Sequence, residues 1–215
     1  VARPDHRRQR VRVVVAGSTR DNEAVDPDTD PFLARYSAKG REIWQKSPSL
    51  EANQWVNDVT STSGGLYLAG YEESPGGETA PDVTVIRFGL NGSLSWKKLF
   101  IGAKLDRAES IVPGDGELLI AGVGLRGKPL HAALGEPFYG DAMLLRVGLG
   151  GRLKRSYYFG GGGTDDETAY ALARRADGLI YLGGGARAEK FLGKHADREG
   201  DAFLVGLRLP GGAGG

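Results

Sequence analysis

Residues 82–100 read DVTVIRFGLNGSLSWKKLF, and the pattern of this stretch recurs along the chain. Each copy opens with an Asp before an apolar strand and carries a Gly ten residues after that Asp. The repeated positions are Asp30, Asp82, Asp141 and Asp201, followed by Gly40, Gly92, Gly151 and Gly211. A fixed period of this kind is typical of an array in which no unit buries its apolar face alone. The sequence therefore predicts a repeat protein.

Each repeat predicts four strands. A weak first strand, at residues 54–61 in the first full copy, precedes a second strand of apolar β-formers that ends in Ala-Gly or Gly-Gly. The third strand begins at the repeated Asp and is apolar on both faces, so it must be covered on both faces. The fourth strand carries large aromatic residues, and Trp44 and Trp96 are predicted to pack between sheets.

Small antiparallel sheets that repeat and stack are typical of propeller blades. The sequence predicts an all-β fold: a β-propeller of four-stranded antiparallel blades, in about four repeats. About fourteen strands are expected, in groups of three, four, four and three, because the first blade lacks its innermost strand and the last its outermost. We therefore expect an incomplete propeller, or part of a larger ring, and the open terminal blades predict self-association.

The domain organisation follows from the extent of the repeats. Residues 11–209 are predicted to form the β-propeller repeat domain, and the length of 215 residues with 40% hydrophobic content suits one core. Residues 1–10 include the run HRRQR and are predicted to be a basic N-terminal tail. Residues 210–215 are Gly-rich and are predicted to be a flexible tail.

Composition excludes several classes of function. The chain has 28 basic and 27 acidic residues, a net charge of +1, so we expect no nucleic-acid partner. It has no Cys, which excludes disulfides, thiolate metal sites and a Cys nucleophile. No run approaches the roughly 18 apolar residues of a membrane span, so none is predicted.

The third repeat carries a family resemblance. Residues 159–184 read FGGGGTDDETAYALARRADGLIYLGG, which resembles the propeller-type repeats of bacterial exported and cell-envelope proteins. The first two repeats depart from the pattern, with SLEANQWVND and IGAKLDRAES at the corresponding corner. The resemblance implies a propeller fold and favours an exported or cell-envelope bacterial protein. It implies no particular activity.

Candidate catalytic and metal-binding motifs are weak. None of the three His residues accompanies a Ser in a G-x-S-x-G context, so a triad hydrolase is not expected. His131 and His195 fall in equivalent insertions, where surface positions explain them better than a shared metal. The Asp residues at 26, 28 and 30 resemble the start of a calcium loop but lack its Gly and distal Glu. We therefore predict no catalytic residues, no metal and no cofactor.

Long connections between second and third strands are expected to open on one face of the array, where recognition normally occurs on a repeat scaffold. We predict a non-catalytic scaffold or interaction domain that recognises a protein or a glycan through this loop face. The alternative is the propeller portion of a larger enzyme whose catalytic residues lie outside this chain, so enzyme status stays open, with a non-enzyme favoured. The candidate binding residues are Asp21, Glu23, Asp26, Asp28, Glu72, Glu73, Glu78, His131, Lys190, Lys194, His195 and Arg198.

Overall fold

The structure, a computed structural model, describes residues 12–20, 29–73, 81–100, 106–124, 140–160, 166–187, 190–191, 194–195 and 200–209. The two predicted tails, residues 1–10 and 210–215, lie outside these residues. The described residues form sixteen β-strands. They are β1 Arg12–Arg20, β2 Thr29–Ser37, β3 Glu42–Lys46, β4 Asn53–Thr62, β5 Gly65–Glu73, β6 Asp82–Phe88, β7 Leu94–Phe100, β8 Arg107–Pro113, β9 Glu117–Gly124, β10 Asp141–Gly148, β11 Leu153–Phe159, β12 Asp166–Arg174, β13 Leu179–Arg187, β14 Lys190–Phe191, β15 Lys194–His195 and β16 Asp201–Arg208.

Fourteen of the strands form four antiparallel sheets. Sheet 1 has the order β1-β2-β3, sheet 2 β4-β5-β6-β7, sheet 3 β8-β9-β10-β11, and sheet 4 β12-β13-β16. The all-β fold and the grouping of three, four, four and three strands are confirmed. The hairpin of β14 and β15, which lies between β13 and β16, is an addition that the sequence pattern did not predict.

The core consists of three apolar layers, each between two consecutive sheets. Leu33 of sheet 1 packs with Leu68 and Ile86 of sheet 2, on one side of that sheet. Tyr67 and Val85 lie on its other side and pack with sheet 3. This alternation follows from the period of two along a strand. It confirms that the third strand is apolar on both faces, and the second strand shares this feature.

The two repeated Trp residues lie between sheets, as predicted. Trp44 packs in the layer between sheets 1 and 2, and Trp96 in the layer between sheets 2 and 3. Each ring lies over the Gly of the next sheet's turn: a Cβ on Gly92 would be 3.1 Å from Trp44, and one on Gly151 would be 3.3 Å from Trp96. Both glycines also have a positive φ. The repeated Gly therefore permits a tight turn and leaves space for the aromatic ring.

Polar contacts fix the connections between sheets. The Asp30 carboxylate accepts a hydrogen bond from the backbone N–H of Leu50, 2.8 Å away, in the link from sheet 1 to sheet 2. Asp30, one of the four repeated Asp residues, thus accepts a backbone hydrogen bond beside the strand that it begins. Between sheets 2 and 3, the Asp58 carboxylate of β4 accepts from the backbone N–H of Ile111 in β8, at 2.8 Å. The first strands of neighbouring sheets are therefore joined directly.

The Gly that ends each second-strand motif allows a close approach to the first strand of the same sheet. A Cβ on Gly70, Gly122 or Gly184 would lie within 2.0 Å of a first-strand carbonyl oxygen, at Trp55, Arg107 and Thr168 respectively. At the same place each first strand carries a β-bulge, between Val56 and Asp58 in sheet 2. Among the described residues, sheet 1 has no first strand, and a Cβ on its equivalent residue, Gly17, would meet none of them within 4 Å.

This difference gives a matched pair of substitutions. We expect Gly122→Ala to destabilise the fold by about 3 kcal/mol, because the methyl group would overlap backbone that no rotamer change can move. Gly17→Ala, at the same repeat position, should change the free energy of unfolding by less than about 0.5 kcal/mol. Urea denaturation of the two variants measures both values. Equal losses would show that the close approach is not what requires the Gly.

Candidate functional site

The structure places only some of the predicted site residues. Asp21, Glu23, Asp26, Asp28, Glu78, His131 and Arg198 lie outside the described residues. Lys190, Lys194 and His195 belong to β14 and β15, of which only the backbone is described. Glu72 and Glu73 were expected to begin a loop, but they end strand β5, where Glu72 pairs with Gln54 and Glu73 pairs with Asn53. Strand pairing thus extends further than the apolar pattern indicates.

Glu72 is held by an ion pair and a hydrogen bond near the start of β4. Its carboxylate is 2.6 Å from the Lys97 ammonium and accepts a second hydrogen bond, at 3.2 Å, from the Gln54 amide. Gln54 is fully buried and also donates to the backbone carbonyls of Glu51 and Ala52. Ala52 has a φ of 72°, which is uncommon for a residue with a side chain. The Glu72 carboxylate thus stabilises the entry to β4.

The bulged residues of the first strands form a group that the sequence reading missed. They are Asn57 in β4, Glu109 in β8 and Tyr170 in β12, each directly after the residue that pairs with the second-strand Gly described above. Bulges re-aim a side chain and occur often beside functional sites. An amide, a carboxylate and a phenol occupy one repeat position here, whereas the neighbouring positions are largely apolar. Aligning the repeats on the second-strand Gly would reveal this variation in the sequence.

Two of these residues lie beside an aromatic stack between sheets 2 and 3. Trp55 and Tyr71 are cross-strand neighbours whose ring centroids are 6.1 Å apart, with planes at 17°. The Arg107 guanidinium lies 5.0 Å from the Tyr71 centroid, a favourable cation–π distance. The Asn57 amide donates to the Ala108 carbonyl at 2.9 Å and to the Glu109 carboxylate at 3.2 Å. The contact of Arg107 with Tyr71 and the hydrogen bonds of Asn57 therefore join the two sheets near the ends where the long connections begin.

Burial shifts the pKa values of the titratable groups beside this aromatic stack. Burial raises the pKa of the Glu109 carboxyl, although the nearby Arg107 charge opposes the shift. Burial also raises the pKa of Tyr71, again against Arg107, and the carboxylates of Glu73 and Glu109 add to the increase. Glu73, a predicted binding residue, therefore lies close enough to the stack to influence it.

Sheet 4 has an open concavity at the equivalent place. Its volume is about 680 Å³, and its floor is the Gly-rich end of β13 at residues 183–187. Asp166 and Tyr170 of β12 line one side, and Asp201 of β16 lines the other. Gly185 occupies the position that Tyr71 has in sheet 2, so no ring fills this space from β13. The side chain of Tyr170 is 62% exposed.

The concavity opens at the end of the sheet that carries the predicted binding loop. Asp166 pairs with Arg187 at that end, and Ala186 pairs with Asp201. The hairpin that contains Lys190, Lys194 and His195 lies in the connection between β13 and β16, so it begins beside Arg187. The structure thus brings an exposed aromatic ring, two carboxyl groups and a guanidinium to the root of this connection.

Comparison with known proteins gives no assignment: no family model and no curated protein matches the chain. Among the described residues, no three His, Asp or Glu side chains lie close enough to hold a metal ion. Nor does this part of the chain include a helix with the length and apolar character that crossing a bilayer requires.

The environment of Glu109 leads to a pH prediction. Above its raised pKa the half-buried carboxylate destabilises the fold, and this penalty disappears as the pH falls through that pKa to below the ordinary value of 4.5. Glu109→Gln keeps an acceptor for Asn57 and removes the charge. We expect the variant to be more stable than the parent at neutral pH, with a difference that closes below pH 4.5.

Urea denaturation across this pH range measures the difference. Glu42→Gln, at an exposed residue of β3, is the matched control and should change little. A Glu109→Gln variant that is less stable at neutral pH would show that the Arg107 charge outweighs burial.

Proposed function

We propose that this chain is a non-catalytic β-propeller domain that recognises a protein or a glycan at the loop-side end of its blades. The chain contributes four repeats, either as an incomplete propeller or as part of a larger ring. The observation that carries the proposal is the concavity of sheet 4, which combines Tyr170, Asp166 and Arg187 on a Gly-rich floor at the root of a long connection.

The arrangement of the sheets supports a propeller. Consecutive sheets pack face to face through apolar layers, which is how radially arranged blades are held together. The first strand of each sheet contacts the first strand of the next, β4 with β8 and β8 with β12. First strands that lie side by side are expected around a central axis. Their bulged residues, Asn57, Glu109 and Tyr170, then belong to the inner side of the array.

The chemistry of the concavity favours a glycan over a flat protein surface. A sugar ring presents apolar C–H faces, which suit an exposed aromatic ring, and hydroxyls, which suit carboxylates and guanidinium groups. Glycines in the floor leave the backbone accessible to a ligand that approaches closely. Binding sites of this type are concave, with a few convergent polar groups. An exported or cell-envelope protein, which the family resemblance favours, would meet such ligands.

The test is a binding screen of the purified chain against a panel of immobilised oligosaccharides. We expect Tyr170→Ala and Arg187→Ala each to weaken binding to a retained glycan by about tenfold, equivalent to about 1.4 kcal/mol, without lowering the free energy of unfolding. Lys39→Ala and Leu90→Ala are the matched controls, because these exposed residues lie in turns at the opposite ends of the sheets. Both controls should bind as the parent does.

Two results would contradict the assignment. If the Tyr170 and Arg187 variants bind like the parent while the turn variants lose affinity, recognition occurs at the opposite end of the sheets. If no glycan is retained but a protein ligand is, and that ligand depends on Tyr170, the concavity is a protein-binding site and the preference for glycans is wrong.

A further inference from the structure

Apolar residues at the two ends of the stack are exposed at repeat positions that are buried elsewhere. Leu204 is the third residue after Asp201 and is 74% exposed, whereas Leu33, Val85 and Leu144, which stand at the same offset from their Asp residues, are fully buried. In those three strands the residue packs on the sheet that follows. Leu204 therefore marks an open face of sheet 4, formed by β13 and β16 beside the concavity.

At the other end of the stack, sheet 1 also exposes apolar residues, but on the opposite side. Val13 and Val15 lie four and two residues before Gly17 and are 48% and 46% exposed. The equivalent residues are Leu66 and Leu68 in sheet 2, Leu118 and Ile120 in sheet 3, and Ile180 and Leu182 in sheet 4, all of them buried against the preceding sheet. Val13 and Val15 thus mark an open face on sheet 1, on the side where a preceding sheet would pack.

The two open faces are of complementary kinds. Within the chain, each of the three apolar layers forms in the same way. The face of one sheet that is equivalent to the Leu204 face packs against the face of the next sheet that is equivalent to the Val13 and Val15 face. Apolar residues that are exposed only at the ends of a repeat array mark faces on which a further unit can pack. We propose that the open face of sheet 4 docks on the open face of sheet 1 in a second copy of this chain, head to tail, and continues the same layered packing.

The topology sets the extent of this contact. Among the strands that the structure describes, sheet 1 has none at the position that β4, β8 and β12 occupy in the other sheets. The docked copy therefore covers β13 and β16, including the part of the concavity that they line, and leaves the β12 side, with Asp166 and Tyr170, uncovered. Docking and a ligand that reaches the β13 floor would therefore exclude each other. Two such contacts between two copies would bring together eight sheets, which is within the usual range for a closed propeller. Closure of a head-to-tail contact gives a ring instead of a filament.

The test is the mass of the full chain in solution, by sedimentation velocity or light scattering over about a hundredfold range of concentration. We expect the mass of two chains for the parent. Leu204→Glu and Val15→Glu should each give the mass of one chain, because each places a charge in the contact. Leu153→Glu is the control: Leu153 is also exposed, but it lies on β11, the outermost strand of sheet 3, and this variant should remain a dimer.

Mixing the two disrupted variants tests the head-to-tail geometry. The Val15→Glu chain keeps an intact sheet 4 and the Leu204→Glu chain keeps an intact sheet 1, so the mixture should form a dimer through one remaining contact. Circular dichroism of each variant shows whether its fold is retained, and Leu204→Ser and Val15→Ser serve as milder substitutes if a charge prevents folding. A parent that is monomeric at every concentration, a dimer disrupted by Leu204→Glu alone, or a mixture that stays monomeric would each overturn the proposal.

Discussion

Every sheet of this protein depends on a neighbour, because its second and third strands are apolar on both faces. One sheet buries one side of the next, and the other side requires a further sheet. The apolar layers supply most of the stabilisation, since burial of apolar surface is the dominant favourable term in folding. Hydrogen bonds such as that from Ile111 to Asp58 then fix the orientation of adjoining sheets. The architecture is therefore the result of one packing requirement applied repeatedly.

Much of the fold could be predicted because the repeat itself encodes it. The Asp and Gly offsets locate the third strand and its turn, and the two-sided apolar pattern requires stacked sheets. The positions of Trp44 and Trp96 between sheets followed from the same pattern. These features depend on local chemistry and on a period of two, both of which are visible in a single sequence.

The candidate site was harder to predict because it arises from tertiary contacts. The bulges that re-aim Asn57, Glu109 and Tyr170 are tied to a backbone approach at a Gly on another strand, which the first strand alone does not reveal. The concavity of sheet 4 depends on Gly185 standing where sheet 2 has Tyr71, a difference that matters only once the strands are paired. Glu72 was assigned to the long connection between the second and third strands because the apolar pattern of the second strand ends before it, and its partners Lys97 and Gln54 are distant in sequence.

The open faces at the ends of the stack also shape how the chain moves. In an array where each unit contacts only its neighbours, a unit with two neighbours is held more firmly than a unit with one. Within one chain, the described residues cover sheets 2 and 3 on both sides but sheets 1 and 4 on one side. Local opening should therefore begin at the two ends and reach the middle last. The concavity of sheet 4 lies in one of these readily opened units, so a ligand bound there would also hold the end of the array closed.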